Sequence, residues 1–303
     1  FFSSEIYGHG RAFRFITGWP ALLPIPVSSD HGVHLSESLT ISEKEAPSNW
    51  HLTWSEWRYL NHDGNRPKNV MLVPHPWVVF RRLKGLKKNS SARGTLLFAQ
   101  HSLPWTSLEV DWQKYFDNLK ILPDELRPRA VCIHQFDVEK GLHHKLRDWG
   151  LPIFTLGHRA DPRYVDRFYD LIRHFQYATS IGHGTQVWLC EELGISYFFF
   201  GAHSRDTKPK TTNISREEQV RRMKVDKIFS SVPPKSSIER GKMVEAALGL
   251  AHLQSPQSKL ARIFFVELFL VVPIISLKIL RLSASLEKRQ RLIAWLLKDN
   301  RQG

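Results

Sequence analysis

Between residues 94 and 201 short apolar runs alternate with amphipathic stretches, and that order points to a parallel sheet with helices on both faces. The apolar runs fall at 95–99, 130–134, 152–156, 177–180 and 195–200. After the first run, Leu108, Trp112, Tyr115, Phe116 and Leu119 share one helical face, and Thr106 with Glu109 has capping-box spacing at its start. A second helix reads to a stop at Gly150. A third opens with Asp161 as N-cap and Pro162 in its first turn, and buries Val165, Phe168, Leu171, Ile172 and Phe175. A glycine-bearing turn then leads into a helix ending at Gly194. Open sheets of this kind bind ligands beyond the carboxyl ends of their strands, so the loops after each strand are where chemistry is sought.

The flanking regions are less regular. Strands are expected at 22–27, although Pro24 and Pro26 demote that one to an edge or loop, and at 51–55 and 69–73. The basic stretch 84–93 reads as a linker. Capping-box spacings at Ser215 and Glu218, and at Ser236 and Glu239, announce two later helices. Residues 263–277 are mostly apolar but are broken by Glu267 and Pro273, and a spanning helix needs about twenty apolar residues. This segment is expected to be a buried or interfacial helix. Three regions result: 1–90, 91–210 and 211–303. The start, interrupted by Glu5, His9 and Arg11, does not read as a signal peptide. Because the chain begins at Phe1 and not at Met, the first domain is expected to be truncated.

The chain carries a formal net charge of +14. A basic chain of this kind suits nucleic acid, an anionic membrane or phosphorylated substrates. From Ser255 onward nine Lys/Arg face three acidic residues, interleaved with Phe, Leu, Ile and Val. That interleaving favours a membrane surface over a nucleic-acid groove, and no recognition helix or RNA motif is present. Cys132 and Cys190, the two cysteines, sit in apolar runs and read as reduced core residues. The histidines show no HExxH spacing and the cysteines form no paired CxxC, so no metal site is read from spacing. No Gly-x-Ser-x-Gly elbow, P-loop or dinucleotide fingerprint occurs.

The loops after the strands are polar and rich in histidine: Gln100-His101-Ser102, Gln135-Phe136-Asp137, Gly157-His158-Arg159 and Gly182-His183-Gly184-Thr185. Glycines at a helix start let a phosphate approach the backbone N–H groups. The Arg159 guanidinium can fork onto a diphosphate, and His158 can bond a base, ribose or phosphate. Asp161 and Glu109 read as helix caps. In the first region Asp30-His31-Gly32 follows an extended apolar run. There His31 is suited to deprotonate a hydroxyl, with Asp30 as an alternative base or as the group that orients it. His75-Pro76 follows another strand.

With these residues in place, the layout resembles the two-domain GT-B glycosyltransferases. Residues 94–201 match the donor half, and 180–185 are similar to the late glycine turn that holds donor phosphates. Tyr7-Gly8-His9, Asp30-His31-Gly32 and residues 69–76 look like pieces of proteins from bacterial capsule and O-antigen clusters. The resemblance implies an α/β fold of two Rossmann-like domains with parallel sheets, the first truncated, and a helical C-terminal tail. It implies an acceptor-side domain over 1–90 and a nucleotide-sugar-binding domain over 91–210. The basic segment over 211–303 would be membrane-associated. The implied activity is sugar transfer from a nucleotide-sugar donor to a surface-polysaccharide or lipid-linked acceptor. The base would be His31 or Asp30. His101, Ser102, His158, Arg159, Gly182, His183, Gly184 and Thr185 would hold the donor, a co-substrate. No permanently bound cofactor, metal or nucleic-acid partner is implied. The expected location is cytoplasmic, peripheral at the inner face of the membrane. The sequence departs from the retaining pattern of a Glu-x7-Glu pair, because Gln186-Val187-Trp188-Leu189 stands where an acid is expected. A nucleotide-sugar epimerase, or a non-catalytic polysaccharide-assembly or membrane-docking protein, remains as an alternative reading.

Overall fold

The computed structural model describes residues 3–46, 48–60, 69–102, 108–201, 205–206, 214–253 and 259–269. In the first region α1 (His9–Thr17) is followed by β1 (Ser28–Ser29), α2 (Ile41–Lys44), β2 (Trp50–Thr53), α3 (Glu56–Leu60), β3 (Asn69–Leu72) and α4 (Pro76–Leu83). The three strands form a parallel sheet in the order β1-β2-β3. Residues 22–27, for which the prolines leave an edge strand or a loop, are irregular. Pro24 and Pro26 offer no N–H to a ladder, and Ile25 N instead donates to the Glu5 carboxylate at 2.7 Å.

The second region contains β4 (Thr95–Phe98), β5 (Leu108–Glu109), α5 (Trp112–Lys120), β6 (Pro128–Ile133), α6 (Gln135–Glu139), α7 (Leu142–Leu146), β7 (Ile153–Thr155), α8 (Tyr164–Ile172), β8 (Tyr177–Ser180), α9 (Thr185–Glu192), β9 (Ser196–Phe199) and β10 (Arg205–Asp206). Five parallel strands are ordered β7-β6-β4-β8-β9, so the chain reverses direction across the sheet between β4 and β8. Helix α5 begins later than its apolar face suggests. Asp111, not Thr106, is the N-cap, accepting from Lys114 N at 3.0 Å. Leu108 and Glu109 belong to a strand pairing antiparallel with β10, and Thr106 lies outside the described residues. The second expected helix is two, α6 and α7, separated at Gly141 with φ 77°. Asp161 does not cap α8 directly. It accepts from Arg163 N at 2.8 Å in the turn before the helix and pairs with Arg167 at 2.8 Å.

Two further helices follow, α10 (Arg216–Phe229) and α11 (Ile238–Leu248). Ser215 caps α10 as its spacing predicts. Helix α11 is capped by Ser237 and not by Ser236, one residue later than the Ser236–Glu239 spacing suggests. Among the described residues a last helix covers 259–269. Among the described residues no helix is long and apolar enough to cross a membrane.

The largest core ignores the boundary near residue 90. Ala12, Trp77, Val78 and Phe80 of α1 and α4 pack with Phe98, Val165, Phe168 and Trp188, and the same cluster continues to Phe229 and Leu248. A second core fills the other face of the five-stranded sheet with Leu97, Val131, Leu119 and Leu146. The third lies against the small sheet, where Phe13, Ile25, Leu52 and Met71 receive Leu260 and Phe264 from the last helix. Cys132 and Cys190 are buried free thiols, and burial pushes the Cys132 thiol up to about 12.

Candidate active site

The carboxyl ends of both sheets meet along a seam. Thr185 Oγ1, at the start of α9, accepts from Val33 N at 3.0 Å, and a Cβ on Gly32 would stand 2.7 Å from that same hydroxyl. On the other side Tyr7 N donates to Arg159 O at 2.6 Å. Tyr7 holds φ at 55°, a conformation that costs energy for any residue but glycine and that collects at functional sites.

On the small-sheet side, adjacent residues take opposite environments. Asp30 is fully buried. Its carboxylate accepts from His51 Nε2 at 3.0 Å, from Thr53 Oγ1 at 2.7 Å and from Arg58 Nη1. Burial would raise its pKa, but the Arg58 guanidinium and His51 outweigh that and hold it below the usual range. Such a carboxylate braces the loop and has no free side toward a substrate. His31 is 35% exposed, and its Nδ1 lies 3.1 Å from Glu43 Oε1. A carboxylate only accepts, so Nδ1 carries a proton, and in the neutral ring Nε2 keeps its lone pair. Glu43 is held in turn by Thr40 N at 2.8 Å and Arg58 Nη2 at 3.0 Å. Burial raises the Glu43 pKa and the His31 and Arg58 bonds lower it further than that, leaving it ionised. The His34 ring packs edge-on to His31 at 4.4 Å. Burial, then the Arg58 charge, pushes His34 down to about 3. One ligand atom each from His31, His34 and Glu43 lie within 4.8 Å of one another, as do those of Asp30, Glu43 and His51.

On the large-sheet side the glycine turn stands at the point where strand order reverses. Gly182, after β8, faces Gln100, after β4, and a Cβ on it would meet Gln100 Oε1 at 3.4 Å. Neither Gly182 nor Gly184 has a positive φ, and Gly184 is extended at φ −173°. Backbone strain therefore does not require either glycine, and the absence of a Cβ instead admits the Gln100 and Gln186 side chains. A Cβ on Gly184 would come 2.2 Å from the Gln186 side chain. His183 Nε2 is engaged with Asp226 at 3.0 Å. Ser102 is buried, with its N donating to Asp137 Oδ1 at 3.1 Å. These two residues and Thr185 are tied into the framework. His101, His158 and Arg159 are exposed at the edge.

The structure adds His134, which directly follows β6. Its Nδ1 accepts from Phe136 N at 3.3 Å, its ring stacks on His101 at 4.6 Å, and its Nε2 is buried without a partner. Burial, then the His101 and Arg159 charges, pushes it down to about 3, so it stays neutral. Gln135 Oε1 accepts from Arg159 N, and the Arg159 guanidinium lies 5.5 Å from the Phe136 ring. His134 closed an apolar run and read as a strand end. Glu43 has one local signal in the sequence, its capping-box spacing from Thr40, a box that forms in the structure. Nothing local marks Arg58 or His51. No family model, curated protein or solved structure matches the chain.

Proposed function

We propose that this chain is a glycosyltransferase built of two Rossmann-like halves, which moves a sugar from a nucleotide-sugar donor to a surface-polysaccharide or lipid-linked acceptor. The seam is the observation that supports the reading most. The Val33–Thr185 bond sets the loop bearing His31 against the glycine turn, which stands at the reversal point of the other sheet, where ligands of such sheets bind. His31, oriented through Nδ1 by Glu43, takes the acceptor hydroxyl proton on Nε2. Positive charge from Arg159 and the N-terminal end of α9 balances the charge that develops on the departing nucleotide. An acceptor chain would run along the groove of about 430 Å3 whose wall residue Trp57 donates from Nε1 to His34 O at 2.7 Å. Asp30 takes a bracing role in this scheme.

The same reading puts the protein in the cytoplasm, peripheral at the inner membrane face, where lipid-linked acceptors are found. A thermal-shift screen against UDP-, GDP-, CMP- and dTDP-sugars tests it. A true donor at a hundred times its dissociation constant stabilises the fold by about 2.7 kcal/mol. Silence across all four classes would remove the donor and with it the proposal. Conversion of a donor with no acceptor present would favour an epimerase instead.

A further inference from the structure

We propose that His31, His34 and Glu43 form a binding site for one divalent transition-metal ion of the zinc class. Each offers a ligand atom, and the three atoms lie within 4.8 Å of one another. Around a tetrahedral zinc ion such atoms sit about 3.3 Å apart, so one pair, His31 Nδ1 and Glu43 Oε1 at 3.1 Å, is already in place. Small side-chain adjustments would have to bring the remaining atoms from within 4.8 Å to that spacing. His34 Nε2 is buried without a hydrogen-bond partner, which is costly for a polar atom unless something absent from the protein chain completes it.

Two further features fit a cation. The buried cluster holds two carboxylates, Asp30 and Glu43, against one guanidinium, Arg58, and all three side chains are fully buried. A cation beside these two buried carboxylates, whether a proton on an imidazole or a metal ion, is electrostatically favoured. The outer shell is also built, because Thr40 N and Arg58 fix Glu43 Oε2 while Oε1 lies 3.1 Å from His31 Nδ1. Two imidazoles and one carboxylate suit zinc, with a fourth position open on the side where His31 is exposed. On binding, the His31 proton moves from Nδ1 to Nε2 and no proton leaves the ring. Nε2 is then unable to accept a proton, so the metal-loaded form is switched off in sugar transfer. That consequence rests on the transferase reading, whereas metal binding does not.

The test is titration of chelator-treated full-length chain with Co2+, read by its visible d–d absorption. The expected result is one ion per chain with the intense bands of a four-coordinate site, and at least tenfold weaker binding in both His31→Ala and His34→Gln. His31→Ala changes a half-exposed ring, which keeps the test open should His34→Gln fail to fold. Three results would overturn the site: no such bands, equal affinity in the His31 variant, or loss of binding in His143→Ala, which would assign the ion to the adjacent His143 and His144 rings 3.9 Å apart. No bands at all would mean that a protonated imidazole alone balances the cluster. Nucleotide-sugar binding, measured on the same samples, stands or falls separately.

Discussion

Asp30 and His31 are neighbours in the chain and differ in what they can exchange with a substrate. His31 keeps an Nε2 lone pair at an exposed edge, while every bond of Asp30 turns inward. His31→Ala is expected to lower turnover by about a hundredfold or more with donor affinity nearly unchanged. Glu43→Gln should show the same signature in weaker form, since the ring keeps its place but loses its ionised partner. Steady-state kinetics with donor affinity measured separately checks both, and normal turnover in His31→Ala would take the base role from it. Asp30→Asn should act on stability, because it strands the Arg58 charge in the interior. Breaking a buried pair costs about 3–5 kcal/mol, which urea unfolding reads directly. At Gly184, a valine is expected to leave the fold intact, because the backbone is extended and the obstructing Gln186 is a side chain able to swing away. Nucleotide affinity should nonetheless fall, and undiminished affinity would take this turn out of the donor site.

At the scale of elements, the large sheet was legible because β4, β6 and β9 are apolar runs buried along most of their length, whereas β7, at the sheet edge, is largely exposed. Residues 177–180 were read to their ends. Helix starts were less legible, since capping spacing occurs by chance. Ser236–Glu239 competes with Ser237–Arg240, and only the backbone decides between them. The site was half legible. Loops at strand ends can be found from periodicity, but Glu43, Arg58 and His51 come together only through folding of the first region. The box formed by α1, α4 and the end of β2 has a consequence of its own. His9 is buried there at 1% exposure, its ring 5.2 Å from Trp54, 5.6 Å from His75 and 5.8 Å from Trp77. Burial, then the His31 charge, pushes His9 down to about 3 against the opposing pull of Asp30, and burial also lowers His75. An unfolded histidine titrates near 6.5. The stability His9 contributes is therefore whole above that pH and is lost as pH falls toward 3, at up to about 1.4 kcal/mol per pH unit. Chemical denaturation between pH 7 and 4 should show this slope, and His9→Phe should flatten it. An unchanged slope in that variant would assign the acid sensitivity elsewhere.

At the scale of the whole molecule, the last helix joins the chain's two most contrasting surfaces. Its inner stripe is fixed. Phe264 packs edge-on to Phe13 at 5.9 Å and Trp19 at 5.7 Å, Leu260 is buried, and the Glu267 carboxylate accepts from Asn49 N at 3.0 Å. The apolar run of 263–277 thus starts as a docked helix, and Glu267, which interrupts it in sequence, is an anchor to the small sheet. The outer stripe is spaced at three and four residues and carries Arg262, Phe265, Val266 and Phe269, the last three 59%, 56% and 64% exposed. Large apolar side chains in a row beside a cation suit the headgroup boundary of a bilayer. The sequence beyond it, outside the described residues, adds seven Lys/Arg against two acidic residues. Each basic residue near an anionic surface contributes about 1 kcal/mol, and salt screens it. We therefore expect the full chain to float with vesicles containing anionic lipid, to lose that binding as salt rises, and to bind neutral vesicles weakly. Phe265→Ser with Phe269→Ser should weaken binding at every salt concentration while leaving the fold unchanged, because neither ring belongs to a buried core. If the wild-type chain floats with neither lipid, the stripe has another occupant, and analytical ultracentrifugation of the same pair of variants would show whether that occupant is a second copy of the chain.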